Sequence, residues 1–288
     1  MRAASISCTY SVGRRPILLL LRALASGSSG NAYVLRTDRV TLLFDAGLRI
    51  PKLERALQCE DMCIGAISAV LISHEHRDHC LAARELASDY SVPVLANEQA
   101  LRAAHLDNLA LAEVLPVGKP VRLGDVEVTT FLVSHDAARP VGFLVRHGGK
   151  TVVIATDLGV VTNNVCEMVR LADLVILESN HDPQMLHSGR YPVHLRRRIG
   201  GPRGHLSNAQ AAAVLVRQLR DDHVDVWLAH LSHENNRPSL ALEAARRTLQ
   251  RAGMGTVRVA VALRDRPSLR WTGSQRARQL GLFETQGV

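Results

Sequence analysis

Residues 74–79 read His-Glu-His-Arg-Asp-His and directly follow the apolar run Ala69-Val-Leu-Ile72 and Ser73. Three histidines and an aspartate, all able to ligate a metal, thus stand within six positions, launched from the end of a buried strand. Imidazole with carboxylate is the donor set that holds hydrolytic transition metals. On an extended segment alternate side chains share a face, so His74 and His76 reach one ion together. If the chain turns into a helix after Arg77, Asp78 and His79 swing toward a second position beside the first. One strand-to-helix turn can in this way build two adjacent sites. A cluster of polar loop residues is the competing interpretation, and three histidines with an aspartate so close behind a buried strand argue against it.

Three later runs, apolar or alternating, each end in a residue of the same kind. Val126–Val133 leads to Ser134-His135-Asp136, Thr151–Ala155 to Thr156-Asp157, and Val224–Ala229 to His230. The run His-x-His-x-Asp-His matches the signature of the metallo-β-lactamase superfamily, and the order of these later residues resembles that family's. Longer motifs are similar to its YycJ/WalJ branch: Leu24-Ala-Ser-Gly-Ser-Ser-Gly-Asn-Ala32, Ser134-His-Asp-Ala-Ala-Arg-Pro-Val-Gly-Phe143, Glu178-Ser-Asn-His-Asp182, Gly204-His-Leu-Ser-Asn208 and His230-Leu-Ser-His-Glu-Asn-Asn236. The resemblance spans residues 17–262. It implies a metal-dependent 5′-to-3′ exonuclease acting on DNA and linked to repair, with kinship to the ribonuclease Z and cyclic-phosphodiesterase branches.

Carried over position by position, the family pattern implies that His74, His76 and His135 hold a first divalent metal. Asp78, His79 and His230 would hold a second, and Asp157 would bridge the two. Zinc and manganese both suit such ligands. Two ions about 3.5–4 Å apart clamp a phosphodiester and lower the pKa of a water toward 7. Asp45, ending Leu42-Leu-Phe-Asp45, is either an acceptor that orients a ligating histidine or a cap on the following turn. In ribonuclease Z a histidine with surroundings like those of His205 lies near the leaving group. That resemblance makes His205, with Asp78, a candidate catalytic group. Ser207 and Asn208 are expected to cap the next helix, whose N-terminus is an anion site. Ser28, Asn31, His181, Ser207 and Asn208 complete the candidate substrate-binding residues, together with the arginines described next.

The formal charge of +8 is unevenly spread. Residues 190–288 hold 17 arginines against 7 acidic residues, and Arg196, Arg197, Arg198 and Arg203 lead into Gly204-His205. Guanidinium forks so placed suit an anionic backbone, and nucleic acid, DNA in particular, is the expected partner. Five cysteines form no CxxC pair. An odd count without an export signal suits a reducing cytoplasm, and no apolar stretch is long enough for a membrane helix.

Strand-like runs recur at 17–24, 32–36, 40–44, 69–73, 125–133, 141–147, 151–156, 173–178, 224–230 and 256–262. Helical patterns fall at 51–58, 79–88, 97–105, 162–171, 207–219 and 239–252. This mixture predicts an α/β fold, an αββα sandwich of two mixed sheets with helices outside and the site on their shared edge. Residues 1–16 are expected to be a poorly ordered extension, 17–264 the catalytic domain and 265–288 a peripheral tail. A cyclic phosphodiesterase, another small-molecule hydrolase of this fold or a ribonuclease are the alternatives. A non-catalytic binding protein on a degraded scaffold would lack ligands, and none of the seven is missing.

Overall fold

The computed structural model describes residues 19–220 and 223–273, and the backbone of 275–279. The extension expected over 1–16 lies outside the described residues. One sheet contains β1 (Leu20–Ala25), β2 (Ala32–Arg36), β3 (Thr41–Phe44), β4 (Ala69–Leu71), β5 (Val94–Ala96) and β6 (Ala112–Val114). The other is formed by β7 (Pro120–Leu123), β8 (Val126–Leu132), β9 (Val141–His147), β10 (Lys150–Ala155), β11 (Leu174–Glu178), β12 (Asp225–Ala229) and β13 (Arg258–Val261). The first sheet is extended beyond β1 by β14 (Leu269–Thr272) and β15 (Gln275–Gln279), giving the order β15-β14-β1-β2-β3-β4-β5-β6. The second runs β13-β12-β11-β10-β9-β8-β7. Each sheet is antiparallel in one part and parallel in the other: β3 to β6 are parallel, as are β10 to β13.

Strands buried on both faces read as continuous apolar runs, and the packing shows why these do. In β3, Leu42 and Phe44 point between the sheets while Leu43 points outward. The inner layer interdigitates Leu21, Tyr33 and Phe44 of one sheet with Phe143, Ile154 and Trp227 of the other. Phe44 and Phe143 meet edge to face across the gap, ring centroids 5.1 Å apart. Outside the first sheet lie α1 (Ile50–Gln58), α2 (Arg77–Cys80), α3 (Ala83–Tyr90) and α4 (Glu98–Ala103). With the second sheet come α5 (Asn163–Arg170), α6 (Pro183–Ser188), α7 (Val193–Ile199), α8 (Asn208–Gln218) and α9 (Pro238–Arg251). Of these, α5, α8 and α9 seal its outer face. Four layers result, as the alternation of elements predicts. Among the described residues no helix is long and apolar enough to cross a membrane.

Local chemistry explains the boundaries. His147-Gly-Gly-Lys150 closes the β9–β10 hairpin with Gly148 at φ 55° and Gly149 at φ 75°, the two left-handed positions that a tight two-residue turn demands. The single helix expected over 79–88 is two, α2 and α3, because the Ala82 N–H leaves the helical ladder to donate to the Ala46 carbonyl at 2.9 Å. Strands β5, β6 and β7 are short, and α6 and α7 carry little apolar periodicity, so none of them stands out in the sequence.

The tail expected from 265 onward is corrected in part. Within it β14 pairs antiparallel with β1, burying Leu269 and Trp271 completely or nearly so. Trp271 donates its indole N–H to Asp225 Oδ2 at 2.9 Å, and Arg258 donates to Oδ1 of the same carboxylate at 2.6 Å. Asp225 opens β12, so this buried carboxylate ties the last part of the first sheet to the second. Trp271→Ala is therefore expected to cost about 3–5 kcal/mol in urea unfolding, the range for deleting a core aromatic. A change within about 0.5 kcal/mol would instead place it in a peripheral tail.

Candidate metal centre

The parallel strands of both sheets deliver their C-terminal ends to one edge, and the chemistry-bearing residues sit there. β3 ends in Asp45, β4 leads to Ser73-His74, β8 to His135, β10 to Asp157, β11 to Glu178 and β12 to His230. Asp45, Asp157 and His230 hold φ of 59°, 60° and 53°. Left-handed backbone is unusual for residues other than glycine and costs about 1–3 kcal/mol where the residue is strained. The first sheet needs close approach here too. A Cβ on Gly47 would lie 1.8 Å from the Asp78 carbonyl oxygen, so only glycine lets the β3–α1 connection pack against α2. His76 is the N-cap of α2 with extended φ and ψ, while Asp78 and His79 lie on its first turn. The turn therefore separates the two pairs as the spacing predicts.

The imidazoles are anchored by a common rule. His79 Nδ1 donates to Asp45 Oδ2 at 2.8 Å, and Ser73 donates to the same carboxylate through its backbone N–H and hydroxyl. His74 Nδ1 donates to Ser73 Oγ at 3.0 Å, and His135 Nδ1 to the Gly204 carbonyl at 3.0 Å. His230 Nδ1 and His205 Nδ1 both donate to Glu178 Oε1, at 2.8 and 2.9 Å. In each of these five rings Nε2 is thereby the nitrogen not used for this anchoring. Asp45 is an orienting acceptor for His79 rather than a helix cap.

Donor atoms of His74, His76 and His135 lie within 4.8 Å of one another, and so do those of Asp78, His79 and His230. Asp157 joins the two groups: its Oδ2 is 3.1 Å from His79 Nε2 and its Oδ1 is 3.6 Å from His135 Nε2. Burial opposes the ionised forms throughout, yet the neighbouring charges decide most of them. Around Asp157, His230 and His79 outweigh burial and hold the carboxyl well below its usual range. Burial and the flanking imidazoles push His74 well below 6.5, leaving it neutral with a lone pair available. His74 Nε2 and Asp157 Oδ2 are both buried without a hydrogen-bond partner. An unsatisfied buried polar atom costs about 1–3 kcal/mol, and a cation between them satisfies a bare lone pair and a carboxylate oxygen together. The donor set fits divalent metal.

A family model described as the β-lactamase superfamily domain matches residues 41–230. The chain belongs to the β-lactamase superfamily. It is 36% identical over 236 residues to the exodeoxyribonuclease YycJ of Bacillus anthracis, covering 81% of this chain and 89% of that protein. With the exodeoxyribonuclease WalJ of Streptococcus pneumoniae it shares 36% identity over 238 residues, 81% of this chain and 88% of WalJ. In fold it resembles the metallo-β-lactamase fold protein YhfI of Bacillus subtilis. The TM-score is 0.64 at 16% identity, covering 88% of this chain and 98% of YhfI. This superfamily member is a metal-dependent hydrolase.

Its substrate-side residues fall into three groups. Ser28, Arg198 and His205 line a cleft of about 200 Å³ over His76, Asp78, His135, Asp157 and His230. His181, Arg196 and Arg197 line a separate cavity, bounded by α7 residues other than those that line the cleft. Arg198 is ion-paired with Asp136 at 2.6 Å, and Arg196 donates to the His187 carbonyl. Arg203 reaches the His135 carbonyl at 3.4 Å. The arginine run is thus not the single track toward the metals that its sequence adjacency suggests. Asn31, Ser207 and Asn208 are buried. Asn31 braces Gly27 and lies 3.0 Å from His79 Nε2, Ser207 forms a capping box with Gln210, and Asn208 bonds Ser179 and Asn236.

Glu178 is the residue whose role the sequence hid. It is fully buried, its Oε2 accepts the N–H groups of Leu158 and Leu206, and its Oε1 serves two imidazoles. Burial opposes its charge, but His205 and His230 bring its pKa down to about 2. The available signal was an acid closing the apolar run Leu174-Val-Ile-Leu-Glu178, where a solvated residue has no place. Glu178→Gln is expected to lower metal affinity or turnover about 10–100-fold, as for other groups that orient ligands. Asp157→Ala is expected to reduce bound metal, read by elemental analysis, and to abolish hydrolysis. Full metal content in both variants would remove these residues from the centre.

Proposed function

We propose that this chain is a two-metal phosphodiesterase that degrades nucleic acid, most specifically a 5′-to-3′ exodeoxyribonuclease of DNA repair. The observation that carries this reading is the gathering of all seven ligand-type residues, His74, His76, Asp78, His79, His135, Asp157 and His230, beneath an open cleft that His205 also lines. The exodeoxyribonuclease names of the relatives matching four-fifths of the chain support DNA as the substrate. Zinc or manganese at the two groups would supply a water of lowered pKa and neutralise charge on a phosphodiester.

The remaining work falls to protein groups. His205 keeps a proton at Nε2 while Glu178 takes the N–H of Nδ1. Burial disfavours the charged ring, but the Glu178 and Asp157 carboxylates raise its pKa above the ordinary value. A protonated imidazole beside the cleft is suited to give its proton to the departing alkoxide. Ser28 and the Arg198 guanidinium, the latter paired with Asp136, border the same cleft, which supports a role for them in contacting phosphate oxygens.

The test offers the metal-loaded protein 5′- and 3′-labelled DNA and RNA beside a cyclic nucleotide ester. Stepwise loss of nucleotides from the 5′ end of DNA is expected, and turnover of the cyclic ester alone would refute the assignment. His205→Ala should slow DNA hydrolysis about 10²–10⁴-fold with both metals retained, and much less on a nitrophenyl diester whose leaving group needs no acid. A raised pKa keeps His205 protonated to higher pH, so activity should fall as pH rises through that pKa. Glu178→Gln withdraws the carboxylate, and the alkaline limb of its residual activity should move toward lower pH.

A further inference from the structure

The basic residues that the sequence singles out are largely engaged, whereas a second set is not. Arg49, Lys52, Arg55 and Arg266 line a groove of about 470 Å³ whose floor is Leu24 and Ala56. All four cations are exposed, and none is held in an ion pair among the described residues. Asp265 is the one carboxylate on the groove. Two of the four stand where a helix least favours them. Arg49 is the N-cap of α1, Lys52 lies in its first turn, and that turn carries no acidic residue. The N-terminal end of a helix carries partial positive charge, so cations there are repelled by the dipole as well as by each other. An anion in the groove relieves both.

The groove belongs to the same edge of the sandwich as the metal centre. Arg49 is four residues beyond Asp45, hence within about 14 Å of it along the chain. The opposite wall follows Arg264, whose guanidinium donates to the Ser232 carbonyl at 3.0 Å, two residues past His230. Between groove and cleft lies the β1–β2 loop. Ser26 in that loop donates its N–H to Leu263 and accepts the His230 N–H, and Ser28 lines the cleft. A strand leaving the metals over Ser28 therefore meets the groove next.

We propose that this groove holds the phosphate backbone of the nucleic-acid substrate several nucleotides from the bond being cleaved. The proposal rests on the nuclease reading and adds to it a dependence on strand length. Sequence-independent tracking of a single strand needs a positively charged channel, and these unengaged cations supply one.

The experiment compares the wild type with a variant carrying alanine at Arg49, Lys52, Arg55 and Arg266. Both are assayed with metal on bis-nitrophenyl phosphate, a trinucleotide and a long single-stranded DNA, across a salt series. The variant should match the wild type on the two short substrates and lose kcat/KM on the long one. Its log–log salt dependence should flatten by roughly 0.7 for each phosphate contact removed. Alanine at Arg246 and Arg251, exposed on α9 in the opposite helical layer, should leave that slope unchanged. Equal kinetics and slope on long DNA would overturn the groove while leaving the nuclease reading intact. Equal losses on every substrate would also overturn it, marking a structural effect. A wild type that cleaves the small diester but no strand of any length would instead refute the nuclease reading itself.

Discussion

Three carboxylates, Asp45, Asp157 and Glu178, are buried where the two sheets meet, and the rest of the site depends on how their charge is offset. An ionised carboxylate in the interior is tolerated only when its oxygens are met by donors or cations. Asp45 is met by Ser73 and His79, and Glu178 by two backbone N–H groups and two imidazoles. Asp157 alone keeps a buried oxygen without a partner, and it is the one that sits between both histidine groups. The two fully supported carboxylates act as braces, and the partly supported one faces the candidate ligand groups. Supporting and ligating roles thus follow from a count of donors at each oxygen.

That division explains why the left-handed residues cluster here. A strand entering the edge must turn sharply if its last side chain is to face the neighbours of the other sheet. Asp45, Asp157 and His230 make this turn by adopting positive φ, and the contacts of their side chains hold them there. Backbone strain and buried charge are consequently offset by the same few hydrogen bonds. Removing the Glu178 brace disturbs two imidazoles at once, since its Oε1 serves His205 and His230 together.

Local features of the fold were legible in the sequence, and those made by distant segments were not. The His-x-His-x-Asp-His turn is written in six consecutive residues, and the strands of the inner layer show as unbroken apolar runs because both their faces are covered. Asp45 carried two interpretations until His79 was found 2.8 Å away. Glu178 gave no sign of its two imidazole partners, which come from 27 and 52 residues further along. β14 looked peripheral because a four-residue strand acquires its meaning from pairing with β1 nearly 250 residues earlier. The arginine run misled for the converse reason: Arg198 lines the cleft, while its neighbours Arg196 and Arg197 line a separate cavity.

The separation of α7's arginines between cleft and cavity bears on how such an enzyme divides chemistry from grip. Only interactions that strengthen in the transition state raise turnover, while contacts made equally before and during reaction set how readily substrate is held. On the proposed nuclease reading, His205 and the candidate ligands lie where charge changes during cleavage, so their effects would fall on the chemical step. The groove of Arg49, Lys52, Arg55 and Arg266, as proposed above, would meet phosphates away from the reacting bond, whose charge stays constant. Its contribution is uniform binding, screened by salt, and grows with the number of phosphates reached. A short diester engages the first set alone, whereas a long strand engages both. Preference for polymeric substrate can in this way arise without any residue that distinguishes one phosphodiester from another at the metals.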